Sequence, residues 1–278
     1  MDRQPPGLVV LFVTELWERF AYYGMRALLI LYLIDTSTGG LGWSREEASQ
    51  LYGWYNGLAF LTPVAGGWLA DRLLGTNRSL VVGGLLISAG HLTLALASEW
   101  SFYGGLALII AGTGFFKPNV YTMVGQLYRE RDPRRDAGFT LYYMGINLGA
   151  LFGPLVCAWI AAHPRLGWPY GFAAAGLSML IGLGFYLWTR GDRLQGVGLP
   201  PAGSPQMTPP GAARRARLKP DEKRRIAALG IITIFVVFFW LAFEQVGSSL
   251  NVFAAQRTER RVDGWLATLV PRGEIPAA

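Results

Sequence analysis

Seven stretches of roughly 20 or more mostly apolar residues run through this chain, at about 7–34, 47–71, 79–98, 102–128, 138–162, 168–189 and 226–252. As helices, stretches of that length match the hydrocarbon thickness of a bilayer, a layer that admits no unpaired backbone. The pattern predicts an all-α, polytopic membrane protein. Charged residues make up only 15% of the chain, against about 25% in soluble domains, and most lie in the short connections. The formal net charge of +7 would suggest nucleic acid in a soluble protein. Here the basic residues flank apolar spans, so the partner they imply is the lipid bilayer and no nucleic acid.

Placing the N-terminus in the cytoplasm puts Arg72, Arg78, Arg129, Arg131, Arg134 and Arg135 inside, and only Arg45 and Arg165 in the outer connections. This asymmetry obeys the positive-inside rule. It makes residues 1–190 a closed six-helix bundle with both ends in the cytoplasm. Residues 191–225 are rich in Pro, Gly and Arg with almost no large apolar residue, and are expected to form a flexible basic linker. A seventh helix is expected over 226–254. Residues 255–278 hold no further span, and Arg257, Arg260, Arg261 and Arg272 would lie outside, against the trend. The expectation is therefore of an incomplete second bundle. The first span holds Glu15, Glu18, Arg19 and Arg26, too polar for a cleavable signal, which makes it a retained helix. The single cysteine, Cys157, excludes an intrachain disulfide.

An ionisable group inside a membrane helix is costly and is by default a mark of function. Glu15, Glu18, Arg19, Tyr22 and Arg26 recur at three- and four-residue spacings and share one helix face. Such a stripe belongs against protein or a water-filled cavity; the plain alternative is an ion-pair network that only fixes helix packing. Lys117 is a lone ammonium in an otherwise apolar span, ahead of Pro118, with snorkelling to the headgroups as its plain alternative. Burial disfavours an ionised carboxylate and a nearby cation favours it. Moving a cation toward or away from Glu15 or Glu18 would thus release or load a proton. The planar fork of Arg26 suits a substrate carboxylate. Glu244 in the seventh span suits a substrate amino group, or pairs with Arg26 as a gate.

The run Glu15-Leu-Trp-Glu18-Arg19-Phe-Ala-Tyr22-Tyr23-Gly24 matches the E-x-x-E-R-F-x-Y-Y-G motif of the proton-dependent oligopeptide transporter family. Further segments agree in order. Gly67-Trp-Leu-Ala-Asp71-Arg72, continuing to Gly75 and Arg78, resembles the loop 2–3 signature of major-facilitator carriers. Gly114-Phe-Phe-Lys117-Pro118-Asn119 resembles the family's helix-four segment. Phe139 to Gly149, with Asn147, resembles its helix five, and Trp240-Leu-Ala-Phe-Glu244-Gln its helix seven. The chain is identified as similar to this family from about residue 8 to 254, with GEIPA near the end like the approach to an eighth helix.

The resemblance implies one six-helix half of a major-facilitator carrier plus the start of the other, around a site near the bilayer midplane. It implies a proton-coupled di- or tripeptide symporter, with protons and small peptides as partners and the proton gradient in place of any cofactor. Glu15, Glu18, Arg19, Lys117 and Glu244 would serve proton coupling. Tyr22, Tyr23, Arg26, Lys117, Asn147, Trp240 and Glu244 would line the substrate site. Asp71 and Arg72 would latch the halves on the inner side, or only set topology. A bacterial inner (plasma) membrane is the expected location. The alternatives are a non-transporting stub, a half-carrier pairing with a separately encoded second half, or a relative carrying nitrate or another solute. His91 and His163 are lone residues that read as packing or solvated groups, and no metal-ligand spacing or nucleophile–base arrangement points to an enzyme.

Overall fold

The computed structural model describes residues 3–199 and 220–258, with the side chains of 220–223 outside the description, and its long regular elements are all helices. Six follow in order: α1 (Pro6–Ile34), α2 (Arg45–Leu69), α3 (Thr76–Leu94), α4 (Glu99–Gln126), α5 (Arg135–Ala162) and α6 (Trp168–Arg193). Then come α7 (Pro220–Phe243), a 3₁₀ turn over Glu244–Gly247 and α8 (Ser249–Arg257). The first six lie where the apolar stretches place them, with edges moved by a few residues. The seventh does not run on as one helix. It breaks at Glu244, where the apolar run gives way to Glu244, Gln245, Gly247, Ser248 and Ser249.

Three stretches, Arg135–Ala162, Trp168–Arg193 and Arg224–Arg257, are long and apolar enough to cross a membrane by composition alone. α1 is 29 residues long, yet no 18-residue stretch of it holds fewer than three charged side chains. Its polar stripe is what keeps it out of that group.

Local signals set the helix ends. Ser44 caps α2 in a capping box with Glu47, and Ser98 caps α4 in the same manner with Ser101. Between α2 and α3 the chain tightens into a π-helical turn, Ala70–Leu74, and reverses at Gly75, whose φ of +75° suits glycine. α1 packs chiefly on α5 and α6, α3 on α4 and α6, and α2 on α4. Small residues permit the closest approaches: a Cβ at Gly149 of α5 would stand 2.5 Å from the Leu16 carbonyl oxygen of α1. Backbone contact of this kind is how helices associate where lipid removes the hydrophobic drive. It is also what brings α5 up against the polar stripe of α1.

The two ends of the bundle are closed differently. At one end Asp35 collects donors from its own loop, Ser37 N (2.9 Å), Thr38 N (3.0 Å) and Gly40 N (3.2 Å), and from Trp168 Nε1 (2.9 Å) at the start of α6. Partial burial works against the Asp35 charge, but the bonds from Thr38, Ser37 and Trp168 outweigh it and hold the carboxyl well below the usual carboxylate range. At the other end Tyr128 donates to Gln4 (2.8 Å), and Arg134 binds Asp132 (2.8 Å) and the Arg3 carbonyl (2.9 Å). The Arg134 bonds pull Asp132 down to about 2.

The region expected as a free linker starts later than its composition implies. Leu194 and Val197 are buried. Gly198 donates to Gln126 (2.8 Å), and its carbonyl accepts from Asn77 N (3.0 Å). Two apolar side chains and two polar bonds are enough to fix the first residues after α6 against α3 and α4. Residues 200–219 and 259–278, which include most of the expected linker and the end of the tail, lie outside the described residues. From Arg224 to Phe243, α7 is exposed along its whole length.

Candidate functional site

The centre of the polar stripe is an ion cluster on one face of α1. Arg19 donates through Nη2 to Glu18 Oε1 (2.6 Å) and through Nε to the other oxygen, so it holds that carboxylate with two bonds. Arg19 Nε also lies 3.1 Å from Glu15 Oε1. That contact is a charge pair and not an aligned hydrogen bond, which leaves both Glu15 oxygens with unused accepting capacity. Glu15, Glu18 and Arg19 are each at most 5% exposed. Tyr142 of α5 is buried beside Glu15, with its ring edge-on to Tyr121 of α4 at 5.5 Å. The i, i+4 spacing of Glu15 and Arg19 makes the pair, and the glycine contacts of α5 shut water out of it.

One turn further on, Tyr22 forms an aromatic floor for three cations. The Arg19 guanidinium sits over its ring at 4.8 Å, the Lys117 ammonium at 5.1 Å and the Arg26 guanidinium at 5.9 Å. Lys117 also lies over Phe60 of α2 at 5.3 Å. Among the described residues Lys117 makes no ion pair within 4 Å, so cation–π contact is what holds it. Tyr23 stands edge-on to Tyr22, 5.0 Å between centroids, and is half-buried.

Arg26 ends the stripe and reaches outward. It donates from Nε to the Tyr52 hydroxyl of α2 and from Nη2 to Glu244 at the break after α7. Glu244 keeps 21% of its side chain exposed. The break also places Asn251 of α8 on α1, where it donates to the Ala27 carbonyl at 2.9 Å. Between α2 and α7 a cavity of about 610 Å³ opens, lined by Tyr52, Asn56, Phe60, Trp240, Glu244 and Gln245. Glu244, the partner of Arg26, lines it and the rest of the lining is mainly apolar, a combination suited to a small amphipathic ligand.

The structure thus joins Glu15, Glu18, Arg19, Tyr22, Arg26, Lys117 and Glu244, with Tyr23 and Trp240 at the margin. Asn147 stands apart. It is exposed, and its amide donates to the Tyr143 carbonyl of its own helix at 3.1 Å. Asp71 and Arg72 are exposed in the π-helical turn, where Arg72 stacks on Trp68 at 4.4 Å. Sequence reasoning missed Tyr52, Tyr55, Asn56 and Tyr142. The first three recur at three- and four-residue spacing on α2, the same signal that singles out α1.

Residues 77–193 match the family model described as POT family. The uncharacterized transporter YclF of Bacillus subtilis (strain 168) is 46% identical over 68% of this chain and 39% of its own length. The peptide transporter YePEPT of Yersinia enterocolitica is 34% identical over 94% of this chain and 62% of its own. A di-/tripeptide transporter of Lactococcus lactis subsp. lactis is 42% identical over 72% of this chain and 40% of its own. Among solved structures, a peptide transporter POT in complex with sulfate shares 40% identity at a TM-score of 0.67, over 86% of this chain and 46% of that one. A POT family transporter in complex with 5-aminolevulinic acid shares 35% at 0.68, over 88% and 48%. The chain spans between 39% and 62% of the length of these three relatives. With its helices, its charged stripe and these matches in agreement, this all-α polytopic membrane chain belongs to the POT family.

Proposed function

We propose that this chain supplies the proton-coupling face and one wall of the substrate cavity of a proton-coupled di-/tripeptide symporter. The observation that carries the reading is the continuity of the stripe. A buried carboxylate–guanidinium cluster leads through Tyr22 and Arg26 to an ion pair facing a cavity. The relatives named as peptide and di-/tripeptide transporters support the substrate class.

In this reading Glu15 and Glu18 share the guanidinium of Arg19 and compete for it. A proton arriving on either carboxylate removes one claim on Arg19 and turns it toward the other. Lys117, resting on the Tyr22 ring without a carboxylate of its own, is the cation free to move in as a carboxylate ionises. At the cavity the carboxylate of a peptide replaces Glu244 on the Arg26 fork. Glu244 then takes the peptide's amino end. Trp240 and Phe60 offer apolar surface to its side chains, and Tyr23 contributes a polar edge, while Asn147 is left outside this cavity. Asp71 and Arg72 act as the latch at their end of the bundle. The proposed organisation keeps one bundle from the N-terminus through the anchored residues 194–198, then a basic linker, a seventh span over α7 and α8, and a tail to 278. The arginine-rich end faces the cytoplasm of an inner (plasma) membrane.

Uptake of radiolabelled dialanine into proteoliposomes with an inward proton gradient tests this, comparing the chain with a version extended by a second six-helix half. The expected result is uptake by the extended form alone, abolished by Lys117→Ala or Glu18→Gln. Uptake by the short chain would mean that two halves assemble. No peptide uptake by either form would overturn the substrate assignment and turn the test to nitrate.

A further inference from the structure

The cavity between α2 and α7 holds few polar side chains, and most of them are already engaged. Glu244 is held by Arg26, and the side-chain oxygen of Gln245 accepts from Ser248 (3.4 Å) and Ser249 (2.7 Å). Ser49 is exposed to solvent. That leaves Tyr52 and Asn56, which lie one turn apart on the cavity face of α2.

Tyr52 is 3% exposed, and a side chain at Gly247 would collide with its hydroxyl. The hydroxyl oxygen accepts from Arg26 Nε. A guanidinium has no acceptor, so the hydrogen of Tyr52 must turn to another group. Asn56 is 8% exposed, and its Oδ1 is buried with no hydrogen-bond partner. An orphaned acceptor here is a cost that Leu, of nearly the same size, would avoid. Rotation of the amide meets both needs at once. Tyr52 then donates to Oδ1, and the amide nitrogen keeps its donors for the cavity.

We infer that Asn56 is a specificity-determining residue that donates to the carbonyl oxygen of the ligand's last peptide bond. The inference rests on the symporter reading above, which seats the ligand's carboxylate on Arg26. Arg26 meets α2 at Tyr52, and Asn56 lies one turn, about 5.4 Å, further along that helix. The carbonyl of the last peptide bond stands one extended residue, about 3.3–3.6 Å, from the carboxylate. A hydrogen bond completes the span. A single amino acid has no such carbonyl, so this contact separates peptides from free amino acids.

The test is competition for radiolabelled dialanine uptake by the extended form, wild type against Asn56→Leu. Dialanine carries the carbonyl. The inhibitor 5-aminolevulinate keeps it and replaces the peptide N–H by CH2, while 5-aminopentanoate has the same backbone length with neither. N56L is expected to raise the KM for dialanine and the inhibition constant of 5-aminolevulinate about tenfold, as for one buried hydrogen bond, at unchanged kcat. The inhibition constant of 5-aminopentanoate should stay where it is. An equal loss for all three compounds would make Asn56 a packing residue and overturn the inference, as would no loss for dialanine. If 5-aminolevulinate follows 5-aminopentanoate, Asn56 does not read the carbonyl, and the inference falls as well. Should N56L not fold, Asn56→Ala removes the same donors without adding bulk and is held to the same pattern. Absence of wild-type uptake strikes the symporter reading itself, whereas an indifferent Asn56 in a working carrier strikes this inference alone.

Discussion

Two ion-pair systems meet on α1 and are built on opposite principles. Glu15, Glu18 and Arg19 lie within one turn of the same helix. Arg26 and Glu244 are 218 residues apart. The first is assembled by helical period and sealed by α5; its side chains are at most 6% exposed. The second exists only because α7 breaks where it does, and Glu244 stays 21% exposed at the cavity. A local, sealed network persists whatever the distant chain does, whereas a remote, wet pair can part. Proton storage suits the first, and opening and closing suits the second.

Removing the cation from the sealed cluster should have the largest effect. Arg19→Met strands two buried carboxylates and is expected to cost about 3–5 kcal/mol of stability, measured by denaturation in detergent, with Glu18→Gln recovering much of it. A near-neutral Arg19→Met would mean the cluster is solvated, and the contrast would collapse. Asp35 tests a mixed case, because its donors are local except for Trp168. Asp35→Asn is expected to cost about 2 kcal/mol, as for bonds to a charged group. The Asp35 carboxyl is held below its unfolded value, so its contribution is full above the ordinary carboxylate range, near pH 4–5. It is lost as pH falls toward the depressed folded value, and the Asn variant should lack that acid-dependent loss.

At the wet pair, Glu244→Gln should cost only about 1 kcal/mol. Its clearer signature is geometric: spin labels on Gly53 and Leu241, across the cavity, should report a wider separation of α2 and α7. An unchanged distance would show that packing, and not the pair, seats α7. The smallest effect is expected from Tyr52→Phe, which removes one acceptor from Arg26 at about 0.5–1.5 kcal/mol. It should widen the same distance less than Glu244→Gln does.

The polar residues of α1 were legible because period alone puts them on one face and the membrane makes each conspicuous. Tyr52, Tyr55 and Asn56 carried the same spacing, but hydroxyls and amides are less costly in a span than charges and drew less notice. Asn147 and Tyr142 show the limit of motif reading. They lie five residues apart, about 140° around a helix, so one can be buried beside Glu15 only if the other faces away. Which of them turns inward is set by how Gly149 lets α5 meet α1.

By itself the sequence determined that the chain is an all-α polytopic membrane protein, about where its helices lie, and that one face of the first carries the charge. Those properties follow from hydrocarbon thickness and helical period, which act over a few turns of a single segment. Tertiary structure alone decided that Arg26 meets Glu244, that residues 194–198 are anchored, and that Tyr142 is buried beside Glu15. Each of these depends on the distance between segments far apart in the chain. That distance is set by close packing of whole helices, which no local pattern encodes.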